Sequence, residues 1–143
     1  MTGPAGPLEV GTGVIEIARI ASAVLRERFL ARIYTRAELE RSRRRGDAVA
    51  ELAGRFAAKV AVIKCLGRRV PWRSIEVLNE PGGKPFITLH GRAKEIGGEG
   101  KIVVSISHDR SCATAVALWT RLGSPDQTEI PTQSRTLSIH DEL

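Results

Sequence analysis

An α+β fold, with a mixed or antiparallel sheet packed on a long central helix, is predicted by three features of this sequence. The first is a stretch of helical apolar spacing from Val49 to Ile63 with a capping residue before it and a glycine after it. The second is a pair of strand-like runs around Glu80-Pro81-Gly82-Gly83. The third is a second pair around His108-Asp109-Arg110-Ser111. Strands that follow one another without helical crossovers exclude a wholly parallel sheet.

Residues 1–7 read as a flexible leader, without a basic residue or an apolar core of the kind a secretory signal carries. Leu8 to Ile17 is rich in β-branched residues with rough alternation and is predicted as a strand softened by Gly11 and Gly13. From Ala18 to Ile33 the spacing turns helical, with Ile20, Val24, Leu25, Phe29 and Ile33 on one side. Thr35 followed by Glu38 is a capping-box pattern and starts a short helix that ends near Arg45 and Gly46. Asp47 caps the central helix, Ala48 to Leu66, and Gly67 closes it. Its apolar stripe is Val49, Leu52, Ala53, Phe56, Val60 and Ile63. Strands are predicted at Ser74–Asn79, Pro85–Leu89, Ile102–Ser107 and Cys112–Trp119, with a short helix over Gly91–Ile96. The domain therefore spans 8–120, and 121–143 reads as a polar tail.

The chain has 143 residues, with 22 Lys+Arg and 16 Asp+Glu, for a net charge of +6. Residues 19–45 hold nine arginines and three acids, so this one stretch carries the whole excess. Such a surface suits an acidic partner, although a charged helix face is also often merely solvated. Aromatic residues make up only 4%, too few for a base-stacking platform, so a nucleic-acid role has only the Arg41–Arg45 cluster behind it. No apolar run approaches the length of a membrane span. Cys65 and Cys112 lack metal or redox spacing, and two such cysteines favour a reducing cytoplasm.

Few residues carry chemistry on their own. His108 sits at a strand end, where a general base or a backbone-bonded turn histidine are both reasonable. Gly82-Gly83-Lys84-Pro85 is as well explained by a hairpin turn as by a phosphate grip, because it lacks the P-loop spacing. Lys59 and Lys64 flank the apolar stripe of the central helix, where solvated lysines are ordinary.

Taken in order, the motifs are more informative. Gly11-Thr-Gly-Val-Ile-Glu-Ile-Ala-Arg-Ile20, Tyr34-Thr35 with Glu38, Leu52-Ala-Gly-Arg-Phe-Ala-Ala-Lys59, Lys64 with Gly67, Ile75-Glu-Val, Asn79 with Gly83-Lys-Pro85, and Val104-Ser-Ile-Ser-His108 occur in that sequence. Together they resemble the holo-[acyl-carrier-protein] synthases, the small phosphopantetheinyl transferases, over about residues 8–119. The resemblance implies the 4′-phosphopantetheinyl transferase fold and a homotrimer with active sites between subunits. It implies transfer of 4′-phosphopantetheine from coenzyme A to a serine of an acyl carrier protein, with a magnesium ion on the pyrophosphate. It places His108 and Lys64 at the reaction centre, Lys59, Lys64, Lys84 and His108 on coenzyme A, and Arg19 and Arg28 on the carrier protein. Arg55 falls within the matched helix motif, as a ligand contact or a structural ion pair.

The same resemblance exposes two departures. Relatives carry a magnesium-binding Asp where this chain has Gly13, and a magnesium-binding Glu where it has Val60. Magnesium favours carboxylate oxygens with phosphate and water, which neither residue supplies. Glu16 should face the opposite side of the strand from Gly13, and Glu9 is too far along it. Asp109 is the best-placed compensator, and a weak one. Three activities therefore compete. One is phosphopantetheine transfer with a reduced metal site. Another is a diverged enzyme or binding protein for coenzyme A or a carrier-tethered substrate without magnesium. The last is a non-catalytic subunit of a mixed oligomer.

Overall fold

The structure is a computed structural model and describes residues 8–121; the predicted leader and the tail beyond 121 lie outside the described residues. The element order is β1 (Leu8–Glu16), α1 (Ile17–Ala23), α2 (Glu27–Ile33), α3 (Arg36–Arg43), α4 (Ala48–Leu66), β2 (Ile75–Asn79), β3 (Pro85–Leu89), α5 (Gly91–Gly97), β4 (Lys101–His108) and β5 (Cys112–Thr120). A 3-10 turn, Trp72–Ser74, precedes β2. All strand pairs are antiparallel. One sheet has the order β1-β5-β4, and β2 and β3 form a separate hairpin.

Local signals set most boundaries. The Thr35 hydroxyl accepts from the Glu38 amide at 3.3 Å, and Glu38 Oε1 accepts from the Thr35 amide at 2.7 Å, which completes the capping box. Asp47 Oδ1 accepts from the Ala50 amide at 3.1 Å and caps α4. Gly67, at φ 71°, ends α4 in the left-handed conformation that a side chain disfavours.

The segment 18–33 departs from the single predicted helix. Leu25 and Arg26 donate to Ser22 and Ala23, three residues back, and Arg26 is extended. The chain therefore turns between α1 and α2. Ile20 and Ala23 are the buried residues of α1, and Phe29 and Ile33 those of α2. Phe29 meets the rings of Tyr34 and Phe56. Leu25, predicted on the apolar side, stands at the corner and is 84% exposed. Helical periodicity could not detect this break, because both halves keep the 3.6-residue spacing.

Helix α4 is buried on nearly every side, not along one stripe. The sheet covers one face with Gly11, Gly13, Ala113, Ala115 and Ala117, all small and buried. Two strand residues advance about 6.7 Å and four helix residues about 6 Å, so contacts between an antiparallel strand and helix repeat in step. Gly11 accordingly meets Ala61, and Gly13 meets Ala57. Next in the series, the Cys65 thiol donates to the Glu9 carbonyl at 3.7 Å. Burial pushes that thiol up to about 12, with the Glu9 carboxylate adding to the effect, so Cys65 is a core residue and not a nucleophile.

Candidate functional site

The N-terminal end of α4, the β2–β3 turn and the end of β4 enclose a cavity of about 450 Å³, within the usual size range of small-molecule sites. Its polar centre is the Glu51 carboxylate. Arg55 donates to Glu51 Oε1 at 2.8 Å and Arg41 at 3.0 Å, while Arg45 lies 3.6 Å from Oε2. Arg55 also donates to the Val77 carbonyl at 2.9 Å and to Asn79 Oδ1 at 2.8 Å, which ties α4 to β2. Burial lowers its pKa, and the Glu51 and Glu38 carboxylates oppose that shift. The Asn79 amide donates to the Gly83 carbonyl at 2.8 Å and holds the turn over the cavity. Gly83, at φ 99°, needs glycine there.

Arg41 and Arg45 keep 27% and 52% of their side chains exposed, so they present charge to a ligand as well as to Glu51. Three guanidinium groups face two carboxylates, Glu51 and Asp47, beside the N-terminus of a 19-residue helix. That balance favours a phosphate-bearing anion. Ile106 and Pro85 supply apolar wall, and Gly54 leaves room for Ile106, whose Cγ2 lies 3.0 Å from where a Cβ would stand. His108 closes the end at β4, with Nδ1 3.4 Å from the Asp109 carbonyl.

A second feature lies farther along α4, where it meets β1. A Cβ on Gly13 would stand 3.1 Å from Val60 Cβ and under 3.0 Å from the Ala57 carbonyl oxygen. Positions 13 and 60 are thus direct neighbours, and Val60 is 2% exposed.

Residues 9–117 match the model of the 4′-phosphopantetheinyl transferase superfamily. The chain is a member of this family. It is 44% identical to the holo-[acyl-carrier-protein] synthase of Chlorobaculum tepidum, over 78% of this chain and 97% of that one. Identity to the enzyme of the same name from Moorella thermoacetica is 45%, over 78% and 92%. Among solved structures it is similar to the ACPS–CoA complex of Chronobacterium ammoniagenes, with a TM-score of 0.71, 28% identity, and 79% and 96% covered. The Helicobacter pylori holo-[acyl-carrier-protein] synthase in complex with coenzyme A gives a TM-score of 0.70 and 28% identity, with 78% and 99% covered.

Against this transferase family, the expected site residues separate. His108 lines the cavity, and Lys84 lies in the exposed turn between two lining residues, Gly83 and Pro85. Lys64 is half-buried in the last turn of α4, outside the cavity lining. Arg19 and Arg28 are exposed on α1 and α2. Lys59, expected to contact coenzyme A, lies in the core and is 0% exposed. Its ammonium is fully buried, 2.9 Å from Glu38 Oε1, and donates to the carbonyls of Trp72 at 3.2 Å and Ile75 at 2.5 Å. Burial lowers its pKa, and the Glu38 carboxylate pulls the other way.

Positions 13 and 60, where the resemblance expects metal ligands, do not suit a metal ion in this chain. Gly13 and Val60 bring no oxygen, and the Ala57 carbonyl belongs to the helix. Glu16 is exposed, facing away from Gly13 as expected. Asp109, the expected weak compensator, bonds within its own turn: its Oδ1 accepts from the Ser111 amide at 2.7 Å, the Cys112 amide at 2.8 Å and the Ser111 hydroxyl at 3.1 Å. Those bonds hold its carboxyl below the usual range. Among the described residues, no three His, Cys, Asp or Glu form a metal-holding group. Sequence reading missed Arg41, Arg45, Glu51 and Gly54 as site residues. The arginines were visible only as net charge.

Proposed function

We propose that this chain moves 4′-phosphopantetheine from coenzyme A to a serine hydroxyl of an acyl carrier protein. The cavity around Glu51 holds the 3′,5′-ADP half of coenzyme A. Arg41 and Arg45 face its phosphate, and Ile106 and Pro85 flank its ring. The serine oxygen attacks the phosphorus that bears pantetheine, the bond from that phosphorus to the ADP oxygen breaks, and His108 accepts the serine proton. The observation that carries this reading is the convergence of three arginines and His108 on one cavity in a chain of this family. The deciding experiment mixes the protein and coenzyme A with a panel of apo carrier proteins and weighs the carriers. A gain of one phosphopantetheine is expected, with a higher KM for coenzyme A in the Arg41→Ala, Arg45→Ala variant. No gain on any carrier overturns the proposal. The closed contact at Gly13 and Val60 favours a second reading, binding of coenzyme A or a tethered phosphopantetheine without transfer. The same assay separates the two, since that reading gives coenzyme A binding with no mass gain.

The carrier protein docks on the exposed Arg19 and Arg28 of the basic segment, beside Leu25. The two cysteines form no disulfide, which suits a reducing cytoplasm. No described helix is long and apolar enough to cross a membrane.

Self-association completes the assembly. The outer face of the three-stranded sheet carries the rows Val10-Leu118-Val103, Thr12-Val116-Ser105 and Val14-Thr114-Ser107, with no charge among them. Val10, Val14, Val103 and Val116 are 55%, 63%, 41% and 46% exposed, a patch that suits burial against further copies of the chain. The family resemblance implies three copies. Val116→Arg should reduce the solution mass from trimer to monomer in light scattering. An unchanged mass would remove this face from the interface.

A further inference from the structure

The contact between β1 and α4 changes what the reaction centre can use. Gly11 and Gly13 present bare Cα atoms to Ala61 and Ala57, and a Cβ at either position would come under 3.0 Å from a helix carbonyl oxygen. Val60, packed beside Gly13, fills the remaining space. Positions 13 and 60 therefore enclose no metal pocket, because the helix backbone lies directly against the strand. Octahedral magnesium needs oxygens at about 2.1 Å and room for its waters, and this contact offers neither.

We propose that this chain binds coenzyme A without a protein-held divalent ion, the pyrophosphate charge being met by side-chain cations. This rests on the coenzyme A reading of the cavity. Arg41 and Arg45 are the cations with exposed charge in that cavity.

The test is calorimetric titration of the wild-type protein with coenzyme A, once with magnesium and once with a chelator. The two affinities should agree within about twofold, a difference of roughly 0.4 kcal/mol. Manganese added to protein and coenzyme A should give the paramagnetic resonance spectrum of manganese and coenzyme A alone. A larger loss of affinity in the chelator, or a protein-dependent manganese spectrum, overturns the inference and leaves the cavity assignment standing. Failure to bind coenzyme A in either buffer overturns the cavity assignment, and the inference with it.

Discussion

Gly13→Ala is expected to destabilise the protein by about 3 kcal/mol, the upper end of the usual cost of overpacking. The added methyl group must displace the Ala57 carbonyl, which is held in the ladder of a 19-residue helix and cannot rotate away. The helix would have to lift from β1 and lose the neighbouring Gly11–Ala61 contact as well. Gly13→Asp should cost more, because it also places a carboxylate against a carbonyl oxygen in a dry contact. Gly46→Ala is the control: nothing lies within 4 Å of its added Cβ, and the change should stay within about 0.5 kcal/mol. Urea unfolding at fixed protein concentration gives all three values. Gly13→Ala as stable as wild type would mean that strand and helix are not in this contact. Because positions 13 and 60 touch, Gly13→Asp and Val60→Glu should be non-additive when combined. Restoring both acids is therefore a repacking experiment as much as a metal-site experiment.

Lys59→Met should cost about 3–5 kcal/mol, the range for removing one partner of a buried ion pair. Both members of the Lys59–Glu38 pair are fully buried. Without the ammonium, the carbonyls of Trp72 and Ile75 lose their donor, and Glu38 keeps a buried charge. Glu38 also accepts from the amides of Thr35 and Val77, at 2.7 and 2.8 Å, so it joins the cap of α3 to β2. A lysine in this position fastens α4 to three other segments. The coenzyme A affinity of the folded fraction should remain within about twofold of wild type, because Lys59 does not line the cavity. A stable variant that loses coenzyme A affinity would return Lys59 to the role that the family resemblance implies.

These two residues show how far the sequence could be read. Thr35 with Glu38, Asp47 and Gly67 each announce a helix end through a hydrogen bond or a dihedral angle within a few residues, and all three ends stand where the pattern places them. The strands around residues 80–84 and 109–111 pair as their turn residues suggest. His108 lines the cavity. The break between α1 and α2 was not legible, because apolar spacing continues through it. The convergence of Arg41, Arg45 and Arg55 on Glu51 was not legible either. Nine arginines between residues 19 and 45 look alike as charge, and only the return of the chain at α4 selects two of them.

The sequence by itself determined the order of elements apart from the break between α1 and α2, the capped ends of α3 and α4, the family, and the lack of a side-chain oxygen at positions 13 and 60. These are properties of residue identity and of spacings of a few residues. Only the tertiary structure decided that Lys59 is a buried strut and that Glu51 gathers three arginines. Only it decided that Gly13 stands directly against the Ala57 carbonyl of α4 and leaves no gap there. Those outcomes depend on which surfaces meet across tens of residues, where packing distance and burial, and not local preference, set the energy.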